Sequence, residues 1–97
     1  MLPDNIRSVH FIGIGGAGMS AIAWVLLKRG VRVSGSDLAL NSQTARLAEA
    51  GARICQGHDA ANLGDADLAV GSTAIPQTNV ERRAAEERGL PVWQRAR

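Results

Sequence analysis

Residues 9–37 read VHFIGIGGAGMSAIAWVLLKRGVRVSGSD, and this stretch decides the fold. Ser8 to Ile14 is a short β-rich run without polar alternation, the pattern of a strand covered on both faces of a parallel sheet. Gly13, Gly15 and Gly18 then give G-x-G-x-x-G. Met19 to Arg29 has helical length and apolar residues around much of its circumference, with Gly30 placed to close it in a left-handed cap. Val31 to Ser36 reads as a second strand, and Asp37 stands at its end. Strand, turn, helix, strand and acid in this order predict a βαβ unit whose turn receives a diphosphate.

Each glycine answers a separate demand. Gly13 permits the tight turn, Gly15 lets the backbone approach the diphosphate, and Gly18 lets the helix pack closely on the strand. The amides of Gly16 to Met19 are expected to be free at the helix start, where the dipole favours negative charge, so no lysine is needed. No G-x-x-x-x-G-K-[ST] loop occurs in the chain. At the carboxyl edge, Asp37 is suited to accept from a ribose hydroxyl or from the N3 hydrogen of uracil; its alternative is to open a turn.

Outward from this unit, Ser42 is placed to cap a helix through Ala50 that stops at Gly51, and Ala52 to Gln56 forms a third strand. A polar connection, Gly57 to Asp65, leads to a fourth strand at Ala66 to Gly71. Gly71, Ser72 and Thr73 leave that strand at the same carboxyl edge, where they either complete a phosphate cradle or form a turn before Pro76. Asn79 caps a charged helix to Arg88, whose residues Glu81 to Arg88 read as a solvated face. Leu90 to Trp93 gives a fifth strand, and Arg95 to Arg97 look like the start of a further element. Strands alternating with helices predict an α/β, Rossmann-like, doubly wound parallel sheet of five strands in the order 3-2-1-4-5.

The bulk properties set limits. At 97 residues the chain has room for one domain, with 45% apolar and 21% charged residues but only 3% aromatic, so aliphatic side chains fill the core. The net charge of +2 comes from scattered Lys and Arg, which argues against a nucleic-acid surface. The longest apolar stretch, Ala21 to Leu27, is too short for a membrane span, so a soluble, cytoplasmic protein is expected. One cysteine, Cys55, excludes an internal disulfide and reads as core packing. His10 reads as a structural histidine with satisfied hydrogen bonds and His58 as a loop residue. Trp24 and Trp93 read as packing anchors, Trp93 also able to face a neighbouring segment.

With these residues placed, HFIGIGGAGMSAIA, then VSGSD, then GSTAIP resemble the amino-terminal domain of Mur ligases across nearly the whole chain. The resemblance implies that residues 1–97 form a domain that binds the UDP part of UDP-N-acetylmuramic acid. It sets Gly15, Gly16, Ala17, Gly18, Met19 and Ser20 near the diphosphate, Asp37 near uracil or ribose, and Ser72, Thr73 and Ala74 closing over the site. It further implies a parent enzyme in which ATP and Mg2+ act in a central domain against which this one packs. There the muramyl carboxylate is phosphorylated and the amine of L-alanine attacks the acyl phosphate. No catalytic residue, metal ligand or cofactor is expected in this domain. On physical grounds alone, an NAD-binding domain of an oxidoreductase or a redox-sensing regulator suits the same turn and acid.

Overall fold

The computed structural model describes residues 4–95. Five strands, β1 (Ser8–Ile12), β2 (Arg32–Asp37), β3 (Arg53–Gln56), β4 (Leu68–Ser72) and β5 (Val92–Arg95), form one parallel sheet in the order β3-β2-β1-β4-β5. Three helices connect them: α1 (Ala17–Lys28), α2 (Ser42–Glu49) and α3 (Val80–Glu87). The predicted order 3-2-1-4-5 is the observed one. Strand β1 lies at the centre, pairing with β2 through His10 and Ser34 and with β4 through His10 and Ala69. The carboxyl ends of β1 and β4 therefore leave the sheet side by side at the switch point, where ligands of such folds bind.

Side chains alternate across the sheet, so each strand serves two layers. Val9, Phe11, Val33, Leu68 and Val70 join Met19, Ala23 and Leu26 of α1 and Leu47 of α2 in the main apolar core. The opposite face holds a smaller cluster of Leu63, Ala69 and Ala85. It also buries His10, Ser34, Ser36 and Glu81. One layer is hydrocarbon; the other is largely polar.

The boundaries differ from expectation where caps decide them. β1 stops at Ile12, and α1 begins at Ala17, because Gly13 adopts φ +85° and turns the chain at once. Gly30, at φ +87°, closes α1 as expected, with Val31 N–H donating to the Leu26 carbonyl at 3.0 Å. Asn41, not Ser42, caps α2: its side chain accepts from Thr44 N–H while Thr44 Oγ1 accepts from Asn41 N–H. An N-cap must keep an extended backbone while its side chain reaches the third helical residue, and Asn41 does this at φ −143°. The connection 57–65 contains a short 3-10 turn, Ala60–Leu63, that carries the fully buried Leu63. Strand β5 runs two residues later than expected, which takes in Arg95; Ala96 and Arg97 lie outside the described residues.

Gly35 in β2 is a constraint the sequence reading passed over. The Ile14 side chain, from the glycine turn, lies so close that a Cβ at position 35 would stand 2.6 Å from Ile14 Cβ. Gly35→Ala is expected to destabilise the domain by about 1–3 kcal/mol, as overpacking of a filled core does. Urea unfolding checks this, and an unchanged midpoint would show that Ile14 relaxes freely.

Candidate functional site

The glycine turn is pinned to the end of β2. Gly13 and Ile14 N–H both donate to the Ser36 carbonyl, at 2.8 and 3.0 Å, and Gly15 N–H donates to Asp37 Oδ2 at 2.9 Å. Asn41 Nδ2 donates to the Gly15 carbonyl at 3.1 Å. Both polar backbone groups of Gly15 are thus taken, one by the last residue of β2 and one by the segment that follows it. A Cβ at Gly15 would meet Asp37 Oδ2 at 2.8 Å and Asn41 Nδ2 at 3.2 Å, so a side chain there would have to displace the two groups that hold the turn.

The expected set of free amides is shorter by one. Gly16 N–H donates to the Gly13 carbonyl at 3.2 Å, because the turn folds back on itself before the helix starts. The first intrahelical bond runs from Ser20 N–H to the Gly16 carbonyl at 2.8 Å. Ala17, Gly18 and Met19 therefore present the N–H groups that lie ahead of the helical ladder, and α1 has neither a side-chain cap nor an acid in its first turn. Such a helix end, with donors ahead of the ladder and the positive pole of the dipole, favours negative charge near it. Gly18 is exposed, not pressed against β1 as the motif suggests. The close approach to β2 is made by the turn residue Ile14, whose side chain lies on Gly35.

Asp37 takes the turn-opening role considered for it. Its Oδ1 accepts from Leu38 N–H at 2.8 Å, a turn-forming bond, while the half-buried carboxylate stays at the carboxyl edge beside the turn. Across the switch point, Ser72 Oγ accepts from Ala74 N–H at 3.2 Å and Ile75 N–H donates to the Ser72 carbonyl at 3.0 Å, so Ser72 to Ile75 is a turn. Thr73 and Ala74 are exposed on it. The Ile75 side chain lies 3.4 Å from the Cβ position of Gly13 and 3.6 Å from that of Gly71, which holds the two edge turns together. Arg82 Nη1 donates to the Ile75 carbonyl at 3.3 Å from below.

Glu81 departs furthest from expectation. It is fully buried, not part of a solvated face. Oε1 accepts from His10 Nε2 at 2.6 Å and from the Ser36 hydroxyl at 2.7 Å; Oε2 accepts from Asp59 N–H at 3.1 Å and from Asn62 Nδ2 at 2.8 Å. Burial pushes its pKa up, but the bonds from His10, Ser36 and Asn62 outweigh burial and hold the carboxyl near 2, against an ordinary 4.5. His10 completes its own bonding through Nδ1 and Ser34 Oγ at 2.8 Å, as a structural histidine should. His58, a loop residue as expected, bonds Ser36 Oγ at 2.9 Å. Cys55 is half-buried, with Arg53 Nη1 donating to its sulfur at 3.3 Å. Trp24 packs against the core beneath Lys28 and Arg46, at 5.0 and 5.4 Å from its ring centre, whereas Trp93 is 43% exposed and anchors little. No group of three acidic, histidine or cysteine residues among the described ones could hold a metal, and no described helix is long and apolar enough to cross a membrane.

The family described as Mur ligase family, catalytic domain, matches residues 8–97. The chain belongs to the Mur ligase family. Over 93 residues, 96% of its length, this Mur ligase chain is 55% identical to the UDP-N-acetylmuramate–L-alanine ligase of Pelotomaculum thermopropionicum. The crystal structure of UDP-N-acetylmuramate–alanine ligase from Thermotoga maritima superposes with a TM-score of 0.87 at 36% identity over 91% of the chain. UDP-N-acetylmuramate:L-alanyl-gamma-D-glutamyl-meso-diaminopimelate ligase from Neisseria meningitides follows with 0.81 at 29% identity, covering 92% of the chain and 28% of that structure. The chain spans 20% of the length of the first two.

Sequence reasoning about this Mur ligase chain missed Glu81, Asn41, Asn62 and Ile75. A signal for Glu81 was present: His10, Ser34 and Ser36 alternate onto one interior face of adjacent strands, and a buried polar stripe requires a partner. Removing that partner by Glu81→Ala is expected to cost about 3–5 kcal/mol, since the donors around it stay buried and unpaired. Because its folded pKa lies below the unfolded one, Glu81 adds stability that is full above pH 4.5 and lost as pH falls toward 2. Acid titration of unfolding free energy should therefore fall less steeply through this window in Glu81→Gln than in the parent; equal slopes would remove Glu81 from the acid response.

Proposed function

We propose that this chain is the amino-terminal domain of an ATP-dependent UDP-N-acetylmuramate–L-alanine ligase, and that residues 1–97 bind the UDP moiety of UDP-N-acetylmuramic acid for peptidoglycan precursor synthesis. The observation that carries this reading is the uncapped amino end of α1 beside Asp37, in a chain whose relatives are named ligases of UDP-N-acetylmuramate. A diphosphate laid across the Ala17, Gly18 and Met19 amides gains the dipole and the donors without a lysine. Ser20 follows in the first turn, and Gly15 and Gly16 form the floor. Asp37 then faces the ribose or uracil donors, and Ser72, Thr73 and Ala74 close from the β4 side.

ATP, Mg2+ and L-alanine belong to the other domains of the parent enzyme, which works in the cytoplasm. This domain contributes substrate binding and packs on the central domain. No residue of residues 1–97 is assigned a catalytic step.

Calorimetric titration with UDP-N-acetylmuramic acid, UDP and NAD tests the reading: the two uridine ligands should bind, and binding of NAD alone would replace it with a dinucleotide domain. Gly18→Asp sharpens the test. An acid in the first turn favours the helix dipole by about 0.3–1 kcal/mol, so folding is retained, yet its charge opposes a diphosphate. UDP affinity is expected to drop at least about tenfold, or 1.4 kcal/mol. Undiminished affinity would put the diphosphate somewhere else.

A further inference from the structure

His58 stands two residues past the end of β3, after Gly57, whose N–H donates to the Asp37 carbonyl at 2.8 Å. The imidazole therefore enters the structure beside the strand end that carries the edge carboxylate. Its hydrogen bonding can be settled by counting protons. Ser36 owns one hydroxyl hydrogen, and that hydrogen goes to Glu81 Oε1 at 2.7 Å, since an ionised carboxylate only accepts. Toward His58 Nδ1, 2.9 Å away, Ser36 Oγ is left only its lone pairs. Nδ1 must carry a proton and donate. Glu81 Oε2, 3.5 Å from Nδ1, favours the same arrangement.

A neutral imidazole protonated at Nδ1 has its free lone pair on Nε2. Among the described residues no atom bonds Nε2, and the side chain keeps 16% of its surface open. The network thus fixes a histidine in one tautomer with a bare acceptor outward. Its place along the edge is telling. A diphosphate at α1 stands over β1, and Asp37 ends β2; a nucleoside continuing in that direction reaches the end of β3, the next strand in the sheet.

We infer that His58 reads the nucleoside: its Nε2, held as an acceptor by Ser36, takes a hydrogen bond from an N–H or O–H donor of the bound uridine. This rests on the UDP reading and adds to it a specificity-determining residue. Ser36 and Glu81 are then positioning residues, acting through His58 without touching the ligand. The donor is either N3–H of the base or a ribose hydroxyl, and analogues separate the two.

Nitrogen NMR of the imidazoles, followed as pH is raised to about 8, reads the tautomer in the unsubstituted chain. His58 is expected as the Nδ1–H form, and its Nε2 resonance should move when UDP is added. The Nε2–H form, or an Nε2 signal that stays still while the Ala17, Gly18 and Met19 amides shift, overturns the inference and leaves the UDP reading intact. If UDP moves none of those amides, the UDP reading fails and the inference falls with it.

Titrations with N3-methyl-UDP and with 2′-deoxy- and 3′-deoxy-UDP identify the donor. The analogue lacking that donor should bind the parent roughly three- to tenfold more weakly than UDP, the effect of one hydrogen bond. The difference should vanish in His58→Phe and persist in part in His58→Gln, whose amide oxygen can accept. Discrimination by all three analogues that is unchanged in both variants would refute the assignment.

Discussion

The Glu81 carboxylate is the acceptor on which three separate parts of the chain converge. It gathers donors from β1 through His10, from β2 through Ser36, and from the 57–62 connection through Asp59 and Asn62. Ser36 passes this constraint on. Its hydroxyl belongs to the buried network, while its carbonyl holds Gly13 and Ile14. The turn that offers the α1 amides is thereby tied, through a single residue, to a carboxylate on the opposite face of the sheet. A carboxylate saturated with donors is tolerable in the interior, whereas a half-satisfied one would be worse than hydrocarbon.

The two faces of the sheet divide the labour of a small domain. The layer of α1 and α2 supplies the apolar burial on which folding depends, through Phe11, Leu26, Leu47 and Val70 among others. The layer of α3 and the 3-10 turn buries little hydrocarbon and depends on directed bonds. Hydrophobic contacts tolerate small displacements; hydrogen bonds of 2.6 to 3.1 Å around one carboxylate do not. The side that relies on geometry is also the side from which the β3 exit is placed.

What could be read from the sequence follows this division. Strand order, the glycine turn, the Gly30 cap and the edge position of Asp37 are local patterns, and each was legible because period and turn chemistry encode them. Glu81 was not, because ERRAAEER carries charge on every side of a helix, and only the polar residues of β1 and β2 reveal which charge turns inward. Asn41 was displaced to Ser42 because both residues are good caps and only the backbone chooses between them. Ile75 was passed over for its polar neighbours. Its importance lies in contact with Gly13 and Gly71, some sixty residues apart in sequence, which no local pattern encodes.

Asn41 has a consequence that reaches past α2. The same side chain that caps the helix also holds the Gly15 carbonyl, while Asp37 holds the Gly15 amide. The turn is therefore set before any ligand arrives, and the loss of backbone freedom is charged to folding instead of to binding. A diphosphate bound there, as proposed, would meet a stiff template whose integrity rests on a helix cap, and its binding would in turn reinforce that helix.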